Sequence, residues 1–304
     1  MAELPAPPAP APNNRPLAGA FWMLITGLSF VAVTAIVKHV AQDLPAPESA
    51  FLRYVLGLVF IVPMFRAMRR ARLTRRQLRL FALRGGAHTI GVMLWFYAMT
   101  RITIAEVTAM NYMTPIYITL GAALFLGERL ALRRIAAILF AFLGALIILR
   151  PGIREVSDGH LGMIATAVFF AVSYLTAKRM ADEVSAMAVV GMLSITVTIG
   201  LFPFAIAVWR TPTPEEIFWM FLVAVFATLG HYTMTRAFAA APVTVTQPIT
   251  FLQLLWSVLV GAFLFGEPAD VWVVIGGTVI VGSATFITIR EAMLRRRVKQ
   301  KRTA

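Results

Sequence analysis

Polar side chains recur at helical spacing inside long apolar stretches of this sequence. In one stretch, the spacing i, i+3, i+4, i+7 and i+11 places on a single helix face Thr108, Asn111, Tyr112, Pro115 and Thr119. A second stretch carries Thr246, Thr250, Gln253 and Ser257, with Gln247 beside them. Amides and hydroxyls in apolar surroundings need hydrogen-bond partners on several sides. The pattern therefore indicates a polar wall that binds a small amphipathic molecule.

Aromatic and imidazole side chains extend this wall. Together with the amides, the candidate binding residues are Trp22, His88, Trp95, Asn111, Tyr112, Pro115, Ser173, Tyr174, His231, Tyr232, Gln247, Thr250 and Gln253. Single Ser or Thr side chains also bond their own helix four residues back. His88 and His231 are compatible with simple helix packing, and so are Trp95 and Tyr112. As a set, these residues predict a mixed aromatic and amide cavity.

Two prolines lie within the same stretches. Since proline has no N–H, Pro115 leaves the carbonyl of Asn111 without its helical donor, and Pro248 does the same for Thr244. Such carbonyls are tolerated in a membrane where they line a cavity. We expect Asn111 and its carbonyl to orient the polar head of a substrate, including the ammonium group of a zwitterion. The two helices are expected to bend at different depths.

Glu106 is the only carboxylate well inside a predicted membrane span. It is expected to pair with Arg101 or Arg53 at the rim of the cavity, or to act as a titratable gating or coupling group. The first apolar stretch, 17–37, has no acidic residue, which favours facilitated movement. The His residues of the wall keep proton coupling open as the alternative, because histidine titrates near neutrality.

The sequence lacks the residue constellations of an intramembrane enzyme. It has no HExxH motif and no acidic pair within the apolar stretches, and its four His residues are scattered. The absence of Cys excludes disulfides and thiolate metal sites. We predict no catalytic residue, no metal site and no cofactor. A membrane scaffold fits the helices but leaves the polar wall unexplained.

Ten apolar stretches must position these residues. The chain has 304 residues, of which 59% are hydrophobic and 14% charged, which is far more apolar than a soluble domain. Stretches of roughly 18 to 22 residues match the hydrocarbon core of a bilayer, where only helices or closed barrels satisfy the backbone. The predicted helices cover 17–38, 49–66, 79–99, 103–126, 131–149, 160–179, 185–209, 216–238, 242–265 and 270–290. The fold class is therefore an all-α polytopic membrane protein.

Basic residues set the predicted orientation. Arg and Lys concentrate in the connections after spans 2, 4 and 6 and in the C-terminal segment, so these parts and both termini are predicted to be cytoplasmic. The same placement accounts for the net charge of +14 and argues against nucleic-acid binding. The ends of the chain are predicted to be a disordered Pro/Ala-rich cytoplasmic tail, 1–16, and a basic cytoplasmic tail, 291–304.

The sequence repeats itself at a shift of about 140 residues. Gly19–Val40 aligns with Gly159–Met180, and ALFLGE at Ala123–Glu128 recurs as AFLFGE at Ala262–Glu267. The first copy of the shorter motif is followed by RLALRR and the second by PADVW, which has no positive charge. One motif therefore ends on the cytoplasmic side and the other outside.

An odd number of helices in each half makes the two halves inverted repeats. The halves are 17–150 and 159–290, with five predicted helices each. Inverted repeats are a recurrent device of secondary transporters. The Gly–Glu pairs are expected to end helices, with Glu128 and Glu267 near the N-terminus of the next helix.

This pattern resembles a known family. Ten helices in two halves, each with a helix that ends on Gly-Glu, resemble the EamA-type, ten-helix members of the drug/metabolite transporter superfamily over about residues 17–290. Arg53 in span 2 and Pro115 in the stretch that ends in LGERL also fit. The resemblance implies export of amino acids, other small metabolites or drugs from the bacterial cytoplasm. Within the family, the chain is most similar to exporters of aromatic amino acids.

We therefore predict a multi-pass carrier of the bacterial inner membrane that exports amino acids, aromatic ones above all, and related small metabolites by facilitated alternating access. The cavity is expected between spans 1, 3, 4, 6, 8 and 9, with spans 5 and 10 at the periphery. The predicted partners are small-molecule substrates and the lipid bilayer, and a monomer is slightly favoured over a dimer. A proton-coupled multidrug exporter is the alternative. A channel is disfavoured because the sequence has no charge ring or filter-like loop.

Overall fold

The computed structural model describes residues 15–40, 43–64, 68–69, 71, 73–126, 132–153, 155–180, 183–241 and 243–303. The described residues are helical, without a β-strand. The helices are α1 (Pro16–Val40), α2 (Ala46–Gly57) with its 3-10 continuation Leu58–Met64, α3 (Arg75–Met99), α4 (Ile104–Asn111), α5 (Thr114–Leu126), α6 (Leu132–Leu149), α7 (Asp158–Met180), α8 (Ala186–Ala207), α9 (Pro214–Ala240), α10 (Val243–Phe265) and α11 (Val271–Thr303). Residues 1–14 of the predicted N-terminal tail, and Glu128, lie outside the described residues.

Within the part of the chain that the structure describes, seven helices are long and apolar enough to cross a membrane. They are Pro16–Val40, Ala46–Met64, Leu132–Leu149, Asp158–Ala177, Met187–Ala207, Pro214–Met234 and Val271–Arg290. Leu252–Phe265 in α10 is a shorter apolar helix. Large apolar side chains also face outward, as on α6, where Leu139 and Phe140 are more than half exposed. Such a surface suits lipid rather than water.

Capping boxes define the starts of three helices. Thr74, Thr103 and Thr213 each accept a hydrogen bond from the backbone N–H three residues later, where a Gln or Glu bonds back. The pairing satisfies two of the backbone donors that every helix start leaves free. The start of α4 is therefore fixed by Thr103 and Glu106.

Predicted span 4 is broken into two helices. The chain turns at Tyr112 and Met113, whose N–H groups donate to the carbonyls of Ala109 and Met110, three residues back. Pro115 lies in the first turn of α5 and has no N–H with which to continue α4. In contrast, α10 runs through position 248 as one helix. The break turns Asn111 and Tyr112 toward the interior of the protein.

The two halves of the chain interdigitate. The main pairs join α1 to α9, α3 to α7, α6 to α11 and α2 to α8, and each pair takes one helix from either half. Two further contacts, α1 with α10 and α5 with α7, correspond to each other when the two halves are exchanged. The packing therefore has a twofold pattern. A central space remains where the pairs meet.

Candidate functional site

That central space is a cavity of about 360 Å³. It lies among α1, α2, α3, the α4–α5 break, α7, α9, α10 and α11. Its aromatic and polar walls consist of Thr26, Phe30, Thr34, Arg53, Tyr54, His88, Trp95, Phe96, Thr108, Asn111, Tyr112, Phe170, Tyr174, His231, Thr250, Gln253 and Thr285. Both halves contribute, so the site exists only when they are packed together.

Most of the predicted binding residues line this cavity. They are His88, Trp95, Asn111, Tyr112, Pro115, Tyr174, His231, Thr250 and Gln253. Ser173 is fully buried behind the wall. Trp22 and Tyr232 are not among the lining residues, and both contact Arg236 instead. Its guanidinium lies 5.1 Å from the Trp22 ring and donates to the Tyr232 hydroxyl. The side chain of Gln247 lies outside the described residues.

The imidazole of His88 connects three helices. Its Nε2 is 3.0 Å from the Tyr54 hydroxyl on α2, and its Nδ1 is 3.2 Å from Ser173 Oγ on α7. The ring is stacked on Phe170 with 4.8 Å between centroids. Since both ring nitrogens have partners, His88 presents its ring edge and face to the cavity and fixes the Tyr54 hydroxyl in place.

Polar groups at the break in span 4 face the cavity. The Tyr112 hydroxyl lies 3.0 Å from the carbonyl oxygen of Thr250 and 3.1 Å from Gln253 Oε1, which ties the break to α10. The remaining N–H groups of the Gln253 amide have no partner among the described residues. Asn111 is exposed to the cavity and also makes no hydrogen bond with a described residue. Two amides are therefore available to a ligand.

Arg53 of α2 is a cavity residue that our sequence analysis did not include among the binding residues. Its guanidinium carbon lies 4.1 Å from the centroid of the Tyr54 ring. The signal was available, since a lone charge inside an apolar span is costly and marks function. It was missed because the cavity was expected without span 2. None of the described lining residues is Asp or Glu.

The expected position of span 10 is also wrong. Helix α11, which corresponds to span 10, contributes Val281, Ala284 and Thr285 to the wall. The reason is that α11 packs between α6 on one side and α4 and α10 on the other. Helix α6, corresponding to span 5, contributes no described residue to the wall, in agreement with a peripheral place.

Glu106 lies outside the cavity and is 3% exposed. One carboxylate oxygen accepts hydrogen bonds from the Thr103 N–H and hydroxyl, and the other is 3.2 Å from His160 Nε2 on α7. The expected pairing with Arg101 or Arg53 is not formed: each arginine lies over a tyrosine ring and makes no ion pair with a described residue. The carboxylate instead caps α4, where it accepts from the Thr103 N–H, and it contacts His160.

Comparisons with known proteins agree with this architecture. A model described as the EamA-like transporter family matches residues 17–150 and again 157–289. A riboflavin transporter of Vibrio cholerae is 30% identical over 94% of this chain and 97% of its own. An S-adenosylmethionine uptake transporter of Rickettsia conorii is 25% identical over 90% of this chain and 94% of its own. One solved structure aligns with 92% of this chain and 100% of its own at a TM-score of 0.59 and 19% identity, a likeness of fold alone.

Proposed function

Because the chain belongs to the EamA-like transporter family, we propose that it carries flat, oxygen-rich aromatic metabolites of the flavin type across the membrane. The protein is a multi-pass transporter of the bacterial inner membrane and not an enzyme. The observation that carries the proposal is the cavity, in which aromatic rings and free amides from both repeats face one space.

The size and lining of the cavity support a multi-ring substrate. A volume of about 360 Å³ falls at the lower end of the range of roughly 300 to 1,000 Å³ typical of sites for drug-sized ligands. Trp95, Phe170 and Tyr174 offer faces on which a flat ring system can stack. Asn111 and Gln253 offer amide N–H groups to its ring oxygens and nitrogens. The name of the Vibrio cholerae relative, a riboflavin transporter, agrees with this class.

Aromatic amino acids are the second candidate substrate. Pro115 cannot donate to the carbonyl of Asn111, so this oxygen can receive the ammonium group of a zwitterion. Trp95 and Tyr112 would hold the aromatic ring. An amino acid fills less of the cavity than a flavin does, which is why we rank it second.

We propose that the carrier has ten spans in two inverted repeats and works by alternating access. The exchange symmetry of the helix pairs supports two equivalent halves. Under this scheme α2 with its 3-10 continuation forms one span, and α4 with α5 forms another. The termini would then both be cytoplasmic. Transport would be facilitative, so a metabolite made in the cytoplasm leaves the cell down its own gradient.

Proteoliposomes that contain only this protein test the proposal. Uptake of radiolabelled riboflavin, phenylalanine and S-adenosylmethionine is measured with and without an imposed pH gradient. We expect saturable riboflavin flux that equilibrates without the gradient. Saturable flux of phenylalanine alone would favour the second candidate. Flux of S-adenosylmethionine alone, or flux only with the gradient, would contradict the proposal.

A pair of variants connects the flux to the cavity. Asn111→Leu removes a free amide from the wall and should abolish saturable flux. Thr198→Val is the matched control, because its hydroxyl bonds only its own helix, 2.8 Å from the Ser194 carbonyl. Equal flux by wild type and Asn111→Leu, with correct insertion, would show that this wall does not bind the substrate.

A further inference from the structure

The placement of Arg53 in the cavity has an energetic consequence. A charge in the middle of an apolar span is costly unless it lines a cavity or has a partner. Arg53 makes no ion pair with a described residue. Its guanidinium carbon lies over the face of the Tyr54 ring, 4.1 Å from the ring centroid. The free edge of the guanidinium therefore remains available to a ligand.

The Tyr54 ring packs against the guanidinium of Arg53, and hydrogen bonds hold the ring in place. The hydroxyl of Tyr54 is 3.0 Å from His88 Nε2, and the other ring nitrogen of His88 is 3.2 Å from Ser173 Oγ. This series of hydrogen bonds runs from the first repeat into the second. A planar guanidinium that is held in this way presents a fork of parallel N–H donors, and such a fork matches two oxygens in one plane.

The charge of the cavity also favours a ligand with oxygen acceptors. Arg53 is positively charged and none of the described lining residues is acidic. In the low dielectric of the membrane, this arrangement attracts oxygen acceptors and repels cations.

We propose that Arg53 selects substrates that present two adjacent acceptors in one plane, either a carbonyl oxygen and its neighbouring ring nitrogen in a flavin or the two oxygens of a carboxylate, and rejects cationic ones. This inference rests on the proposed function.

Charge selection is tested with Arg53→Gln and Arg53→Lys in proteoliposomes. Riboflavin and phenylalanine are the transported probes, and phenylethylamine, which lacks the carboxylate, is the cationic inhibitor. Arg53→Gln should raise the KM for the transported probe by about tenfold or more, the usual loss for a charged hydrogen bond, and should become sensitive to phenylethylamine. Arg53→Lys should keep the charge preference but lose part of the affinity.

The control is Arg101→Gln, because Arg101 also lies over a tyrosine ring, 5.0 Å from the centroid of Tyr97, but does not line the cavity. It should keep the wild-type KM. A correctly inserted Arg53→Gln variant with wild-type KM and selectivity would overturn the role of Arg53 and leave the proposed function standing. A wild-type protein that moves neither probe would instead overturn both.

An independent set of contacts lies about one helical turn beyond the cavity lining on α1 and α4. Lys38, at the end of α1, donates to the Ile102 carbonyl at 2.8 Å and forms an ion pair with Glu267. Glu267 in turn accepts the backbone N–H of Ile104, the first residue of α4, at 2.9 Å. Glu267 belongs to the second repeat and the other three to the first. We call Lys38 and Glu267 the latch.

The backbone after α10 is shaped to form the latch. Gly266 adopts φ +63, a left-handed conformation as the Gly–Glu motif predicted. The next N–H, that of Glu267, bonds back to the Gly261 carbonyl at 3.0 Å, and the Glu267 side chain packs against Gly261. The expectation that Glu267 serves the N-terminus of the following helix is therefore wrong. It serves the N-terminus of α4, because the turn folds it back across α10.

The latch and the cavity share one helix interface. Thr108, one turn into α4 from Ile104, lines the cavity and lies 2.8 Å from Ser257 on α10. Opening the cavity toward the latch requires α4 to separate from α10. This movement breaks the Glu267–Ile104 bond. An Arg150–Asp270 ion pair also joins the two repeats.

The geometry points to the latch as the gate at this end, closed in the present state and broken in each transport cycle. Because the chain has no Cys, Lys38→Cys with Glu267→Cys introduces the only thiol pair. Joining them with a reducible bifunctional maleimide should stop flux, and reduction should return the flux to that of the unlinked double-Cys variant. Mass spectrometry gives the linked fraction, and each single-Cys variant treated in the same way is the control.

Charge reversal gives a second measurement. Lys38→Glu and Glu267→Lys should each reduce flux, and the double reversal should recover it by restoring the attraction. Full flux by the linked protein, or full flux by both single reversals, would overturn the gate.

Discussion

The close approach of α6 and α11 allows one methyl group to be used as a test of the packing. A Cβ added at Gly276 would lie 2.5 Å from the Gly144 carbonyl oxygen and 2.7 Å from Ile148 Cγ1. Since carbon and carbonyl oxygen ordinarily approach to about 3.3 Å, Gly276→Ala must push the helices apart by about 0.8 Å. The carbonyl is part of the α6 backbone and cannot move aside on its own.

The expected cost follows from that displacement. Overpacking a filled interface costs about 1 to 3 kcal/mol, partly offset by the gain of about 1 kcal/mol when Ala replaces Gly in a helix. Gly282→Ala on the same helix is the matched control, because an added Cβ there meets nothing within 4 Å. Subtracting the two variants removes the helix-propensity gain. Gly276→Ala should therefore be less stable than Gly282→Ala by about 1 to 3 kcal/mol.

The measurement is unfolding in mixed micelles with increasing SDS, followed by tryptophan fluorescence. Gly144→Ala probes the same contact from α6, where its Cβ would lie 2.7 Å from the Gly276 carbonyl oxygen, and should lose a similar amount. Because the first methyl already separates the helices, the double variant should lose less than the sum. If Gly276→Ala and Gly282→Ala unfold at the same SDS fraction, the two helices do not pack at this distance.

Smaller changes test single contacts. Tyr112→Phe removes the hydroxyl that bonds to α10. In the same unfolding assay, it should lower stability by about 1 kcal/mol, the usual net contribution of one hydrogen bond. Wild-type stability would argue against this bond. Ser173→Ala leaves one buried nitrogen of His88 unpaired and should cost about 1 to 3 kcal/mol, with recovery in Ser173→Thr; no loss would mean that water replaces the hydroxyl. Hydrogen bonding by Arg76 above all holds the pKa of Glu183 below its ordinary value of 4.5. The stabilisation is therefore fully present above that pH and is lost as the pH falls through the lower folded value. With Glu183→Gln, the free energy of unfolding should fall less steeply at acid pH. An unchanged fall would contradict the pairing of Glu183 with Arg76.

The family and the class of protein were predictable, but the substrate was not. The recurring Gly–Glu motif and the apolar stretches indicated an EamA-type transporter, and the family match confirms it. The resemblance to exporters of aromatic amino acids was a finer inference, whereas the two relatives described above are named for riboflavin and S-adenosylmethionine. Substrate choice depends on how side chains of many helices meet in one cavity, which no single stretch of sequence records.

Two of the candidate site residues show why spacing on one helix is insufficient. Trp22 and Tyr232 have the residue types of a binding wall, yet both contact Arg236 outside the cavity lining. Their helices α1 and α9 do reach the cavity, through Phe30 and His231. Spacing shows which residues share a helix face, but the angle at which that face meets its neighbours comes from packing.

The sequence by itself determined the features that depend on local chemistry. Apolar length makes membrane helices, Pro115 cannot continue the hydrogen bonds of α4, and Thr103 with Glu106 begins that helix. The tertiary structure alone decided that Arg53 lies in the cavity and that Glu267 reaches Lys38 and Ile104. The physical reason is that these contacts join the two interdigitated repeats, so each depends on the packing of helices far apart in the chain.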